Sequence, residues 1–231
     1  MARLSLTPVT DDPDRSLAER LRSAYDNGAA ARDRADKQPF RLVERDTFLA
    51  RLRDAGTPTQ PGTSTQPEAP LDRSVRLLEI GAGTGQDSAF FRGHGFEVLA
   101  TDLSPAMVAR CRAKGIDARV LDIRREDLPG PFDAAYSVNC LLHVPTADLP
   151  AVLRRVRAAL RPGGLFFLGL WGGLAEEGIA ADDQHDPPRF FSFRTDEEIQ
   201  RFAADAFEIV DFHAVPVGEL RFQALTLRRA V

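Results

Sequence analysis

At 231 residues the chain is long enough for one substantial core with a small appendage, and short of two full domains. It is 43% hydrophobic and 28% charged, as globular proteins are, and its formal net charge of −4 excludes the basic footprint that binding to nucleic-acid phosphates needs. Cys111 and Cys140 stand at no metal-ligand spacing, no apolar run is long enough for a bilayer, and charges run through residues 11–22; together these predict a cytoplasmic protein with reduced thiols and no membrane contact.

A helix is predicted from residue 14, with Leu17, Leu21 and Tyr25 on one face, interrupted at Asn27-Gly28. A second amphipathic segment carries Phe40, Val43, Phe48, Leu49 and Leu52 and stops near Gly56, so residues 1–55 read as an N-terminal helical cap. Residues 56–74 are rich in Pro and Thr and almost free of large apolar groups, and cannot offset their ordering entropy by burial. They are expected to be a flexible linker, with an O-glycosylated stalk as the alternative for such a composition.

From residue 75 strand and helix patterns alternate. Strands are predicted at 75–80, 96–101, 118–121, 132–138 and 165–170, and helices at 86–94, 105–114 and 149–160. Pro105 suits a first helical turn, Arg161-Pro162-Gly163-Gly164 ends the third helix, and the wholly apolar 165–170 run marks a strand covered on both faces. After a long loop, Thr195 opens a helix with acids in its first turn, and residues 207–215 and 221–227 pair as a hairpin. The fold class is α/β: a Rossmann-like doubly wound sheet of about seven strands over residues 75–231, mostly parallel, with a C-terminal antiparallel hairpin.

The chemistry concentrates at the first strand-to-helix turn. Gly81, Gly83 and Gly85 follow the apolar strand, and Asp102 ends the next strand about twenty residues on, the separation at which neighbouring parallel strands hold opposite ends of a nucleoside. A dinucleotide fingerprint would place its last glycine where Gln86 stands, and no Gly-Lys-Ser/Thr phosphate cradle follows. A smaller nucleoside ligand without phosphates fits better.

Glu79-Ile80-Gly81-Ala82-Gly83-Thr84-Gly85-Gln86-Asp87 resembles the first motif of class I S-adenosylmethionine-dependent methyltransferases. The likeness extends through Asp102-Leu103-Ser104-Pro105-Ala106-Met107, Leu121-Asp122-Ile123, Phe132-Asp133 and the Leu-Arg-Pro-Gly-Gly turn at 160–164, covering residues 75–171 in order. It implies S-adenosyl-L-methionine as cofactor. Glu79, Gly81, Ala82, Gly83 and Gly85 would then lie along the methionyl half and sugar, with Asp87 near the methionyl amino group. Asp102 would accept both ribose hydroxyls, Leu103 and Met107 would pack on adenine, and Asp122 and the Ile123 N–H would meet its edge. Asn139, with Ser137 and Val138, would close the methionyl end, and Tyr25 would fold over the cofactor from the cap; packing with Leu17 and Leu21 is the plainer role for Tyr25, as helix core is for Met107.

Methyl transfer is an in-line displacement in which positioning supplies much of the rate, and a base matters only where the acceptor must lose a proton. His143, just past the fourth strand, is the candidate base, with a pocket role as its alternative. The loop over 171–191 is a candidate lid or substrate wall, in which Trp171 and Phe191 would stack on an aromatic acceptor and Arg189 would pair with an anionic one. Lys37 and Arg41 read as surface charges within reach of a carboxylate. The acids and histidine at 182–186 form no defined cage, so no metal is expected. Ser137-Val138-Asn139-Cys140 stands where base methylases of nucleic acid carry Asn/Asp-Pro-Pro-Tyr/Phe, and Cys140 lacks the Pro-Cys turn of cytosine carbon methylation. The expected acceptor is a small molecule methylated on oxygen or nitrogen, by a monomer or homodimer. The alternatives are a protein or RNA methyltransferase needing a partner, and a non-catalytic cofactor-binding subunit.

Overall fold

A computed structural model of the chain describes residues 5–7, 13–55 and 74–231. The expected linker, Ser74 apart, lies outside the described residues. In chain order the elements begin with β1 (Leu6–Thr7), α1 (Pro13–Arg34) and α2 (Pro39–Ala55). The alternating region follows with β2 (Arg76–Ile80), α3 (Gln86–Gly93), β3 (Glu97–Asp102), α4 (Pro105–Ala113), β4 (Asp117–Val120), β5 (Phe132–Val138), α5 (Leu149–Ala159) and β6 (Leu160–Gly172). The chain ends with β7 (Glu176–Ala180), β8 (Phe190–Phe193), α6 (Asp196–Ala204), β9 (Glu208–Val217) and β10 (Leu220–Arg228).

Seven strands form one sheet in the order β4-β3-β2-β5-β6-β10-β9. The pairs from β4 to β6 are parallel, and β10 runs antiparallel to both β6 and β9, as the hairpin pattern predicts. The order reverses between β2 and β5, because the chain winds outward through β3 and β4 before returning to the centre. Open α/β sheets bind ligands at the carboxyl ends of strands flanking such a reversal. Period-two alternation on β6 shows how both faces are covered: Phe167 meets Phe48 of α2, while its neighbour Phe166 meets Phe207 beyond α6. Phe48 also packs on Phe91 and Tyr136, so α2 joins the sheet's own core rather than standing apart from it.

Three expectations change. Asn27-Gly28 does not interrupt α1, which runs to Arg34. An interior glycine costs a helix only about 1 kcal/mol, and here Asn27 Nδ2 donates outward to the Asp186 carbonyl (2.8 Å), so a tertiary contact holds the turn. The loop after β6 is not irregular: β7 and β8 pair antiparallel and β7 takes β1 on its other edge, giving a second, three-stranded sheet. Finally, Arg161-Pro162-Gly163-Gly164 is a bulge at the start of β6, since Phe132 faces Leu160 and Ala134 already faces Leu165.

Candidate functional site

Above the carboxyl ends of β2, β3 and β5 lies a cavity of roughly 930 Å³, part of it open to solvent. Its floor includes Gly81, Gly83, Asp102 and Asn139, its far wall Leu103, Met107, Asp122 and Ile123, and its roof Leu17, Leu21 and Tyr25 of α1. A polar cavity of about 370 Å³ adjoins it, sharing Arg32, Gly81, Gly83 and Val138, and reaching Glu79, Ala82, Asp87, Lys37 and Arg41.

The glycine turn is shaped by backbone bonding. The Gly81 and Ala82 N–H groups both donate to the Thr101 carbonyl (2.8 and 3.0 Å), tying the turn to the end of β3. The Gly83 N–H donates to Asp102 Oδ2 (2.8 Å) and the Ser104 N–H to Asp102 Oδ1 (2.9 Å). Each carboxylate oxygen is thus oriented with a lone pair to spare. Burial raises the Asp102 pKa, and those two N–H donors oppose the rise. Gly83 has φ +56°, and a Cβ there would meet nothing within 4 Å, so this backbone fronts open space where the two cavities join. Gly85 differs: it lines neither cavity, and its missing Cβ makes room for Cys111 and Ile116.

Asp87 is buried and ion-paired with Lys37, with Arg45 at 3.5 Å. Glu79 accepts from Ser88 Oγ, and burial followed by the Asp87 charge pushes it up to about 8, so it carries a proton at neutral pH. Asn139 sits at φ +54° with its buried Oδ1 lacking any partner. Asp122 Oδ1 accepts from the Arg124 N–H (3.0 Å) while the Asp122 N–H is taken by Glu126.

His143 lies on a short 3₁₀ turn after β5, buried beneath α1. Its Nδ1 is 2.7 Å from the Phe190 carbonyl of β8, and its Nε2 is 2.7 Å from Tyr25 Oη. Burial and then the Arg189 charge push His143 down to about 3, so the imidazole is neutral. Arg189 donates to both Asp183 oxygens (2.7 and 2.9 Å) and to Tyr25 Oη (3.1 Å). Against the penalty of burial, Arg189 holds Asp183 down to about 2.

The matched family model, described as a methyltransferase domain, covers residues 77–164, which supply the floor and far wall of the larger cavity and leave out the α1 and α2 residues that cover the site. Over those residues the chain is similar to methyltransferase domains. Among curated relatives it is 35% identical over 147 residues to a ubiquinone biosynthesis O-methyltransferase of Xanthomonas oryzae, covering 56% of this chain and 61% of that one. The chain therefore spans about three-fifths of that relative's length. Among solved structures it resembles the Burkholderia thailandensis 1,6-didemethyltoxoflavin-N1-methyltransferase with bound 1,6-didemethyltoxoflavin and S-adenosylhomocysteine. The TM-score is 0.73 at 22% identity, over 99% of this chain and 95% of that one. A Mesorhizobium loti S-adenosylmethionine-dependent methyltransferase matches at TM-score 0.56 and 26% identity, over 68% and 91%.

Most residues singled out by sequence stand on one cavity or the other. Trp171 does not: it packs between Phe40 and Phe222 in the core, since β6 continues to Gly172 and α2 covers its end. Phe191 is buried behind His143 against Phe193, and its neighbour Phe190 reaches the cavity instead. Arg189 is engaged by Asp183 and Tyr25, so it is not a free anion site. Lys37 is no free surface charge, being half-buried and ion-paired with Asp87. Sequence reasoning missed Arg32, Phe190 and the contact of Asp26 with α4; the only signal for Arg32 was its place on α1, two turns beyond Tyr25.

Proposed function

We propose that this protein is an S-adenosylmethionine-dependent methyltransferase acting on a small-molecule acceptor at oxygen or nitrogen. The observation that carries the reading is Asp102, oriented in the apolar cavity by two backbone N–H groups, one of them from Gly83, where the polar cavity joins. The residues fit the cofactor in three respects: open space in front of Gly83, an orphaned Asn139 Oδ1 awaiting a donor, and unused lone pairs on Asp102. When bound, the cofactor supplies an electrophilic methyl group on a sulfonium.

In this reading Asp102 holds the ribose hydroxyls, and Leu103, Met107 and Ile123 sandwich the adenine beside Asp122. The polar cavity takes the methionyl end, where Lys37–Asp87 and protonated Glu79 offer donors and acceptors and Arg41 and Arg32 supply positive charge. Tyr25 and His143 stand at the acceptor end. A relative named for O-methylation, and a structural neighbour named for N-methylation that holds S-adenosylhomocysteine, support the assignment. Two free cysteines support a reducing, cytoplasmic setting. No helix among the described residues is long and apolar enough to cross a membrane.

Calorimetry with S-adenosylhomocysteine tests this directly. Binding is expected, and Asp102→Ala should weaken it about 10- to 100-fold through loss of charge-assisted hydrogen bonds. A screen of phenols, amines and acids for methyl transfer then reads turnover. An absence of binding to the wild-type protein would sink the reading.

A further inference from the structure

Hydrogen-bond direction at the acceptor end is determined by one group that can only accept. The Phe190 carbonyl has no proton, so His143 Nδ1 must carry one and donate to it (2.7 Å). Burial keeps the imidazole neutral, leaving Nε2 as a bare lone pair. Tyr25 Oη, 2.7 Å away, must then give its only proton to Nε2. Arg189 donates to the same oxygen (3.1 Å), occupying one of its lone pairs. One lone pair remains, on a residue that lines the cavity. A third partner of Tyr25 can only be a donor.

The charged groups nearest this point are already engaged. Arg189 spends two more N–H groups on Asp183, and Arg124 is held by Asp148 (2.7 Å). Arg20 donates to the Pro188 carbonyl, and Arg32 lies seven residues beyond Tyr25, about 10 Å along α1, on the wall shared with the polar cavity. The His185 ring stands edge-on to Tyr25 at 5.8 Å and is itself paired with Asp183, and the cavity lining on this side, Leu17, Ala18, Leu21, Val144 and Phe190, is apolar. An anionic group on Tyr25 Oη would meet a lone pair beside an Arg189 already spent on Asp183 and Tyr25, at the desolvation cost of a buried charge, with Arg32 about two helical turns away.

We propose that the acceptor is a neutral molecule presenting an O–H or N–H group, which docks on Tyr25 Oη and passes its proton through Tyr25 to His143 Nε2. The proposal rests on the methyltransferase reading and names the acceptor class of that same site. As the acceptor's lone pair forms the bond to the methyl carbon, the carbon–sulfur pair returns to sulfur. The acceptor's O–H or N–H bond breaks, its proton joins Tyr25 Oη, and Tyr25's own proton joins His143 Nε2. Positive charge thus moves from sulfonium to imidazolium, which returns its proton to solvent. A weakly basic imidazole is enough where the accepting atom is a hydroxyl oxygen or the non-basic N–H nitrogen of an amide or lactam, because the methylated atom that still holds its proton is then a stronger acid than this imidazolium. Tyr25 is then the group that touches the acceptor, and His143 acts through it.

Two measurements on the full chain test this, with simple probes standing in for the acceptor. ¹⁵N-histidine NMR of the free protein at neutral pH should show His143 as the neutral tautomer protonated at Nδ1, with its Nε2 signal displaced by Tyr25→Phe. Calorimetry on the S-adenosylhomocysteine complex should show phenol or aniline binding at least about tenfold more tightly than benzoate, and Tyr25→Phe should erase that preference. A His143 protonated at Nε2, benzoate binding as tightly as phenol, or no binding of either neutral probe would overturn the proposal. Failure of S-adenosylhomocysteine itself to bind would instead overturn the methyltransferase reading beneath it.

Discussion

Gly85 shows how a single residue can belong to a ligand motif and yet serve packing. It takes φ +80°, and a Cβ there would lie 2.8 Å from Ile116 Cδ1 and 2.9 Å from Cys111 Sγ. Gly85→Ala combines a left-handed backbone penalty with overpacking against α4, together about 2–3 kcal/mol. The loss should appear as a lower urea midpoint, and an unchanged midpoint would contradict the packing role. Asp102 and Gly83 were legible from spacing because a strand end and the turn beside it are local features. Trp171 was not: its pattern marks a strand end equally well whether the next layer is solvent, a substrate or Phe40 of α2.

At the scale of elements, α1 bridges the two halves of the site. Its Asp26 accepts from the Ser104 hydroxyl (2.5 Å) and from the Ala106 N–H (3.0 Å), so a residue of one helix helps cap another. Ser104 in turn accepts from the Met107 N–H (3.1 Å), and the Asp102 carboxylate lies two residues away on the same turn. Toward the other sheet, Asn27 reaches the Asp186 carbonyl and Tyr25 reaches His143. Asp26→Ala should cost about 1 kcal/mol, as loss of a cap does, and the effect should be local. Hydrogen exchange in α1 and in the first turn of α4 should speed up while β2 and β5 keep their protection; unchanged exchange in α1 would count against this bridge. The helix pattern on residues 14–34 announced an amphipathic element. Its continuity through Gly28 could not be read, because the contact of Asn27 with Asp186, 159 positions away, stabilises that turn.

Across the whole molecule, two histidines give stability opposite responses to pH. His143 is pushed from its ordinary 6.5 down to about 3, so between those values the unfolded chain binds the extra proton. Its contribution is therefore lost as pH falls below about 6.5. His213 lies between Glu44 (2.9 Å) and Asp211 (3.0 Å), joining α2 to β9; against the effect of burial, those carboxylates raise its pKa. Its contribution is present below the unfolded value and fades as pH rises through the raised folded one. Urea unfolding followed from about pH 5 to about pH 8 should show His143→Gln flattening the acid-side decline and His213→Gln the alkaline-side decline. Equal slopes in wild type and either variant would contradict the corresponding assignment.

The sequence by itself determined the parallel sheet, the hairpin that closes it and the Gly81–Asp102 end of the cavity, because each depends on periodicity or on turn chemistry within a few residues. Only the tertiary structure decided the acceptor end. There Tyr25, His143 and Arg189 meet across chain separations of 118 and 164 residues, and a strand within what read as a loop supplies the Phe190 carbonyl. The physical reason is that a side chain's protonation and the direction of its hydrogen bonds are set by neighbours in space, and no pattern along the chain records which neighbours those are.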